Sequence, residues 1–265
     1  MAISAVESEV LVPASAEEAI EAFGDGSGVT VIAGGTIVMP EIAMGRLRPA
    51  RTLLLARAGL DQLRHEPGTF VVGAAVSIAA LVDAAPEPLA SAARGVGDPE
   101  VRAQGTVGGN VCAPPGAESP RGDLQAALIA LDARVRSAGA GGERTEPVED
   151  FLESRDGRLV LEIQVDEPTR GSYAALGRPH AHAYTILAVA VAETGDGVRI
   201  GIAGAGPRGL RATSVEQALA GGASPQEAAA TVLDDVDPRD DALASAWYRR
   251  KVLPGLVARA LADLS

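Results

Sequence analysis

The sequence predicts an α+β protein: two small αβ subdomains, then a domain with a small antiparallel sheet and helices. Three observations carry the prediction. A capped helix pattern from Ser15 to Phe23 leads into the β-branched run Val29-Thr30-Val31-Ile32 and a paired glycine, Gly34-Gly35. A second subdomain starts near Leu60, with the strand pattern Phe70 to Ala75 and a second glycine pair, Gly108-Gly109. After Pro168-Thr169-Arg170-Gly171 the pattern changes to two apolar runs, Tyr184 to Ala192 and Val198 to Ala203. Thr194-Gly195-Asp196-Gly197, a hairpin-type turn, joins them.

Taken in order, Ser15-Ala16-Glu17-Glu18 is a capping box, with Glu18 three residues after Ser15. Gly24 to Gly28 punctuates the chain before the first strand. The segment beyond Pro40 to Pro49 packs under the glycine turn, and Thr52 to Leu55 is the strand that closes the first subdomain. In the second subdomain Ser77 is the N-cap of a helix over Ile78 to Asp83, and Pro88 to Arg94 is a further helix. Val111 to Gly122, rich in Pro, Gly and Ala, has no period and reads as loop. Asp123 to Asp132 carries Leu124, Ala127, Leu128 and Leu131 on one helical face. Ala133 to Ser137 and Leu159 to Val165 read as strands flanking a polar excursion. Ser214 to Leu219 and Ser224 to Val232 read as short hydroxyl-capped helices. Ala242 to Leu264 is a long amphipathic helix in which Pro254 predicts a kink or break.

Composition narrows the function classes. With 47% hydrophobic and 22% charged residues the chain is a folded globular protein with room for real cores. The formal net charge of −12 argues against nucleic acid or an anionic membrane as partner. Cys112 is the only cysteine, so neither an internal disulfide nor a thiolate cage for metal or iron–sulfur can form. No apolar run reaches the roughly 20 residues of a membrane span, and no basic-then-apolar leader opens the sequence, so the expected location is the cytoplasm.

The two glycine stretches carry the chemistry. Ala33-Gly34-Gly35-Thr36 follows a strand directly, in a turn that glycine makes without steric cost, leaving successive backbone N–H groups uncovered. Such a concavity binds anions, phosphates above all. Thr106-Val107-Gly108-Gly109-Asn110 offers a hydroxyl, two glycines and a side-chain amide. Together the two turns predict one diphosphate gripped from two sides by bare main-chain amides. In so acidic a chain local donors must supply the attraction, and N–H bonds to charged oxygens contribute about 1.5–3 kcal/mol each.

Ala33-Gly34-Gly35-Thr36 with Met39-Pro40, then Thr106 to Asn110, then Gly122-Asp123-Leu124, closely resembles the FAD-binding medium subunit of molybdenum hydroxylases. This is the family of the carbon monoxide dehydrogenase medium subunit and the xanthine dehydrogenase FAD domain. The resemblance runs from about Val10 to near the C-terminus. It implies a PCMH-type FAD-binding domain over residues 1–168, subdivided near 56, and the C-terminal domain of the medium subunit over 169–265.

By the same resemblance, Ile32, Ala33, Gly34, Gly35, Thr36 and Ile37 hold the FAD pyrophosphate. Thr106, Gly108, Gly109 and Asn110 complete the diphosphate and sugar contacts. Asp123 contacts the flavin nucleotide and also reads as the N-cap of its helix. Val160 falls where the family places an apolar backbone contact to the flavin. Many relatives carry a lysine after the aromatic matching Tyr173; here Ala174 and Ala175 fill that region, and Arg178 is the first cation, a substitute for the lysine or a surface residue.

Other features read as structural. His180 and His182 share a strand face without further metal ligands. Cys112 sits beside Asn110, either near the cofactor or simply buried. Gly204-Ala205-Gly206-Pro207-Arg208-Gly209 satisfies G-x-G-x-x-G, but Pro207 and the Ser214 cap put the next helix too late for a dinucleotide fold, and no second strand follows. The function implied is electron transfer, with no catalytic acid or base and no metal on this chain. Electrons pass from an iron–sulfur small subunit through FAD to an external acceptor, and a molybdopterin large subunit oxidises the substrate in a heterohexamer-type assembly. A self-contained flavin oxidoreductase and a flavin-free scaffold keeping the fold are the alternatives.

Overall fold

The computed structural model describes residues 8–114, 122–177 and 184–264. Arg178, His180 and His182 lie outside the described residues.

The first subdomain comprises β1 (Glu9–Leu11), α1 (Ala16–Phe23), β2 (Val29–Ile32), α2 (Val38–Ala43) and β3 (Arg51–Leu54). Its three strands pair in parallel in the order β1-β3-β2. Ser15 caps α1 by accepting from the Glu18 N–H at 3.2 Å. The Glu18 carboxylate reaches back to the Ala14 N–H at 2.7 Å, one residue before the cap, so the box is offset from the pattern expected. Of the segment beyond Pro40 to Pro49, expected to pack beneath the turn, the first residues belong to α2, in which no residue is fully buried.

The second subdomain follows with β4 (Leu63–Glu66), β5 (Thr69–Gly73), α3 (Ile78–Ala84), α4 (Leu89–Arg94), α5 (Pro99–Gln104), α6 (Val107–Val111), α7 (Gln125–Ala130), β6 (Arg134–Gly139), β7 (Arg144–Pro147), α8 (Val148–Ser154) and β8 (Arg158–Asp166). Its five strands are antiparallel in the order β4-β5-β8-β6-β7. Ser77 caps α3 as expected. The polar excursion after β6 holds a strand and a helix: Pro147 precedes α8, and Glu149 and Asp150 sit in its first turn, where carboxylates meet the positive helix end. Ala19, Phe23, Leu53 and Leu55 pack on Ala138, Leu159 and Leu161, which joins the first subdomain to one face of the five-stranded sheet.

The rest comprises β9 (Arg170–Gly177), β10 (Thr185–Thr194), β11 (Gly197–Ala203), β12 (Leu210–Arg211), α9 (Thr213–Ala220), α10 (Pro225–Ala230), a 3-10 turn at Thr231–Asp234 and α11 (Ala246–Asp263). The strands form an antiparallel sheet in the order β12-β11-β10-β9, and the β10–β11 hairpin closes by pairing Thr194 with Gly197. β10 is buried on both faces with a division by size. Ala188, Ala190 and Ala192 face the core shared with α7, while Leu187, Val189 and Val191 face Leu253, Val257, Ala260 and Leu261 of α11. Small residues let α7 lie close on the sheet: a Cβ at Gly201 would fall 2.0 Å from the Ala126 carbonyl oxygen. α10 carries the full capping box of Ser224 and Glu227, whereas the cap position of α9 is Ala212 and Ser214 lies inside that helix. α11 starts later than expected, at Ala246 under the Ser245 cap, and runs through Pro254 without a break. Proline removes one intrahelical bond there, and burial of Leu253 and Val257 against the sheet offsets the loss. Among the described residues no helix is long and apolar enough to cross a membrane.

Candidate functional site

The first glycine turn leaves the end of β2. The Ile32 carbonyl accepts from the Leu55 N–H at 2.9 Å, which closes the sheet edge below the turn. Gly35 has φ +73°, the left-handed region that favours glycine, and its carbonyl accepts from the Met39 N–H at 2.9 Å. The N–H groups of Gly34, Gly35 and Thr36 donate to no acceptor among the described residues. Three successive amides are thus uncommitted, as an anion cradle requires.

The two turns touch. A Cβ on Gly34 would lie 1.9 Å from the Gln104 carbonyl oxygen, and one on Gly105 would lie 3.6 Å from Thr36 Oγ1. The second turn differs in kind from the first. It is the one-turn helix α6, capped by Thr106, whose Oγ1 accepts from the Gly109 N–H at 3.3 Å. The Val107 and Gly108 N–H groups donate to the Val76 and Ala74 carbonyls at 3.0 and 2.9 Å. Bare amides therefore come from one turn, not two. What Gly109 contributes is an absent side chain: a Cβ there meets Thr106 Oγ1 at 3.0 Å and nothing else within 4 Å.

Asp123 departs from expectation. The first residue of α7 is Gln125, and the N-terminal amide before it, on Leu124, donates to Asn110 Oδ1 at 3.0 Å. Leu124, not Asp123, holds the cap position of α7, with no side-chain cap bond, and Asn110 reaches across from the second turn to fix it. Asp123 is buried but does not line the cleft between the turns. It lies near Tyr173, whose phenol is pushed above its ordinary pKa by burial first and by the Asp123 charge second. The Tyr173 hydroxyl is buried without a hydrogen-bond partner among the described residues.

Between the turns lies a cleft of about 360 Å³. Ile32, Ala33, Gly34, Gly35, Thr36, Ile37, Thr106, Gly108, Gly109, Asn110 and Val160 all line it, so every residue expected to contact the cofactor except Asp123 converges there. The opposite wall comes from the turn between α8 and β8, which sequence reasoning missed: Arg155, Asp156, Gly157 and Arg158. Arg155 Nη1 donates to the Val111 carbonyl at 3.2 Å, tying this wall to α6. Arg158 is pinned by the Ser137 carbonyl at 2.7 Å, and burial holds its pKa below the ordinary value. Cys112 also lines the cleft, half-buried, and burial raises its thiol to about 11, with Arg155 opposing. Among the described lining residues the one carboxylate, Asp156, is exposed, and no histidine or tyrosine is present. Such a wall is suited to binding and orienting a ligand.

Known proteins similar to this chain point to a dinucleotide as the ligand. Residues 5–167 match the model of the FAD binding domain in molybdopterin dehydrogenase. The chain belongs to this family. Residues 171–264 match the CO dehydrogenase flavoprotein C-terminal domain. The chain is 29% identical to subunit alpha of the 6-hydroxypseudooxynicotine dehydrogenase complex of Paenarthrobacter nicotinovorans, over 96% of this chain and 93% of that one. It is 28% identical to the carbon monoxide dehydrogenase medium chain of Hydrogenophaga pseudoflava, over 94% of each. The fold matches the solved structure of carbon monoxide dehydrogenase from that organism, a form lacking the Mo-pyranopterin moiety, with a TM-score of 0.84, 27% identity and 97% of both chains covered. The chain is an FAD-binding subunit of the molybdenum-hydroxylase type and an oxidoreductase component. Its uncommitted amides and missing Cβ atoms fit the dinucleotide's diphosphate.

Proposed function

We propose that this chain carries electrons through FAD, from an iron–sulfur partner to an external acceptor, beside a large molybdopterin subunit that oxidises the substrate. When bound, the flavin supplies the redox chemistry. The chain's own residues bind and orient it. Gly34, Gly35 and Thr36 donate main-chain N–H bonds to the diphosphate, while Gly109 permits close approach and Gly108 lets the second turn pack on Ala74. Thr106 and Asn110 brace the second turn, and Val160 with Ile32, Ala33 and Ile37 covers the apolar parts. Asp123 acts from behind the wall, alongside Tyr173. On this reading residues 1–168 form the FAD-binding unit, subdivided near 56, and 169–265 the C-terminal unit.

The observation that carries the reading is the run of uncommitted amides at residues 34–36, facing a second glycine turn across one cleft. The partners rest on the relatives, which are medium chains or subunits of complexes. Those relatives are named for carbon monoxide, 6-hydroxypseudooxynicotine and caffeine dehydrogenases. A flavin subunit shared by such different chemistries does not choose the substrate. Affinity purification of the tagged chain from its native cells tests the assembly. Iron, molybdenum and two further subunits in fixed ratio are expected. A flavin-loaded chain that turns over a substrate alone, without partners, would refute the relay.

A further inference from the structure

A second cleft, of about 350 Å³, lies on the other side of Ala113 and Pro114, which line both clefts. Its floor is the turn Gly204–Gly209 between β11 and β12, the glycine motif that plays no part in the flavin cleft. Packing explains two of its glycines. A Cβ at Gly204, which has φ +84°, would fall 2.2 Å from the Ile186 carbonyl oxygen, and one at Gly209 would fall 2.7 Å from Gln125 Cβ. Gln125 holds the turn in place: its Oε1 accepts from the Gly209 N–H at 2.6 Å and its Nε2 donates to the Val111 carbonyl at 2.9 Å.

The cleft is rich in donors, and three of its four aspartate oxygens already accept bonds. Arg208, Arg239 and Arg249 line it together with Asp240 and Asp241. Arg249 Nη2 donates to both carboxylate oxygens of Asp241, at 2.9 Å each, and Asp241 Oδ1 accepts further bonds from the Leu243 and Ala244 N–H groups. Asp240 accepts from the Ala246 N–H at 2.6 Å, at the start of α11. Arg208 spends one nitrogen on Glu153. The Arg239 guanidinium is exposed and makes no side-chain hydrogen bond or ion pair among the described residues, and the Gly206 and Arg208 amides donate to nothing there. Three guanidinium groups against two carboxylates, with two backbone amides uncommitted, favour an anion even in a chain of net charge −12.

We propose that this second cleft binds a small oxyanion, the phosphate or carboxylate group of a soluble metabolite. Arg239 and the remaining Arg208 N–H groups grip it, and the Gly206 and Arg208 amides complete the cradle. The test is calorimetric titration of the purified chain with inorganic phosphate and, separately, with acetate, at constant ionic strength set by chloride. Saturable binding near one ion per chain is expected for at least one of them, and which one binds names the oxyanion. Arg239→Gln, at an exposed position that leaves the backbone intact, should weaken it by about tenfold or more. Gly109→Val, which fills only the flavin cleft, should leave it unchanged. Binding of neither ion, equal binding by Arg239→Gln, or loss of binding in Gly109→Val would each overturn the proposal, the last by moving the ion to the first cleft. Flavin binding is measured independently, so its failure leaves this outcome unaffected.

Discussion

Replacing Gly109 by valine separates folding from flavin binding. The position is helical, and a Cβ there has Thr106 Oγ1 at 3.0 Å as its one neighbour within 4 Å. The hydroxyl needs to give by a few tenths of an ångström, and the rest of the side chain projects into the cleft. Glycine costs a helix up to about 1 kcal/mol relative to better formers, so the substitution is near neutral for folding. Two added methyl groups keep the diphosphate from the second turn and lift it off the amides of residues 34–36. Losing two charged N–H bonds at about 1.5–3 kcal/mol each removes about 3–6 kcal/mol, a weakening of roughly 10²- to 10⁴-fold. Flavin fluorescence during titration measures the affinity, and thermal melting of the flavin-free chain measures the fold. A variant that melts normally and holds FAD as tightly as the parent refutes the placement of the diphosphate. Gly109→Ala serves as the milder variant and should lie between the two.

Other perturbations follow from the same geometry. Gly34→Ala puts a methyl 1.9 Å from the Gln104 carbonyl oxygen, so the turns must separate; a melting temperature lowered by an overpacking cost of about 1–3 kcal/mol is expected together with weaker FAD binding, and an unchanged melt counts against contact between the turns. Arg155→Gln removes a cation from the cleft wall and should weaken FAD by about tenfold at low salt, with the difference shrinking as salt rises; a salt-independent difference points to packing alone. Cys112, with its thiol raised to about 11, is neutral at ordinary pH, and only about one in a thousand is thiolate at pH 8. Its alkylation should be slow there, accelerate as pH rises toward 11 and slow further with FAD bound; fast labelling at pH 7 contradicts the burial.

What could be read from the chain followed how local the cause was. Helix Ala16–Phe23 and strand Val29–Ile32 come from a neighbouring cap and a β-branched run, and both stand where the pattern put them. Helix Val107–Val111 contains two glycines, which no propensity argument makes helical. It forms because Val76 and Ala74, distant in sequence, accept its first amides. The start of α7 has the same origin, since the Asn110 bond to the Leu124 N–H comes from another turn and leaves no mark in the local sequence. Arg155 and Arg158 resemble ordinary surface arginines, and only folding the α8–β8 turn against α6 brings them to the cleft. The convergence of the two glycine stretches was legible because each needs glycine for a reason that spacing exposes. The commitment of the second turn's amides was not.

The central claim is that the diphosphate, held at residues 34–36, anchors the flavin nucleotide. Titration of the flavin-free chain with FAD, with ADP and FMN as competitors, tests it most directly. One FAD per chain is expected, displaced by ADP, which keeps the diphosphate, and scarcely by FMN, which has a single phosphate. FMN binding as tightly as FAD, or no saturable FAD binding at all, would contradict it.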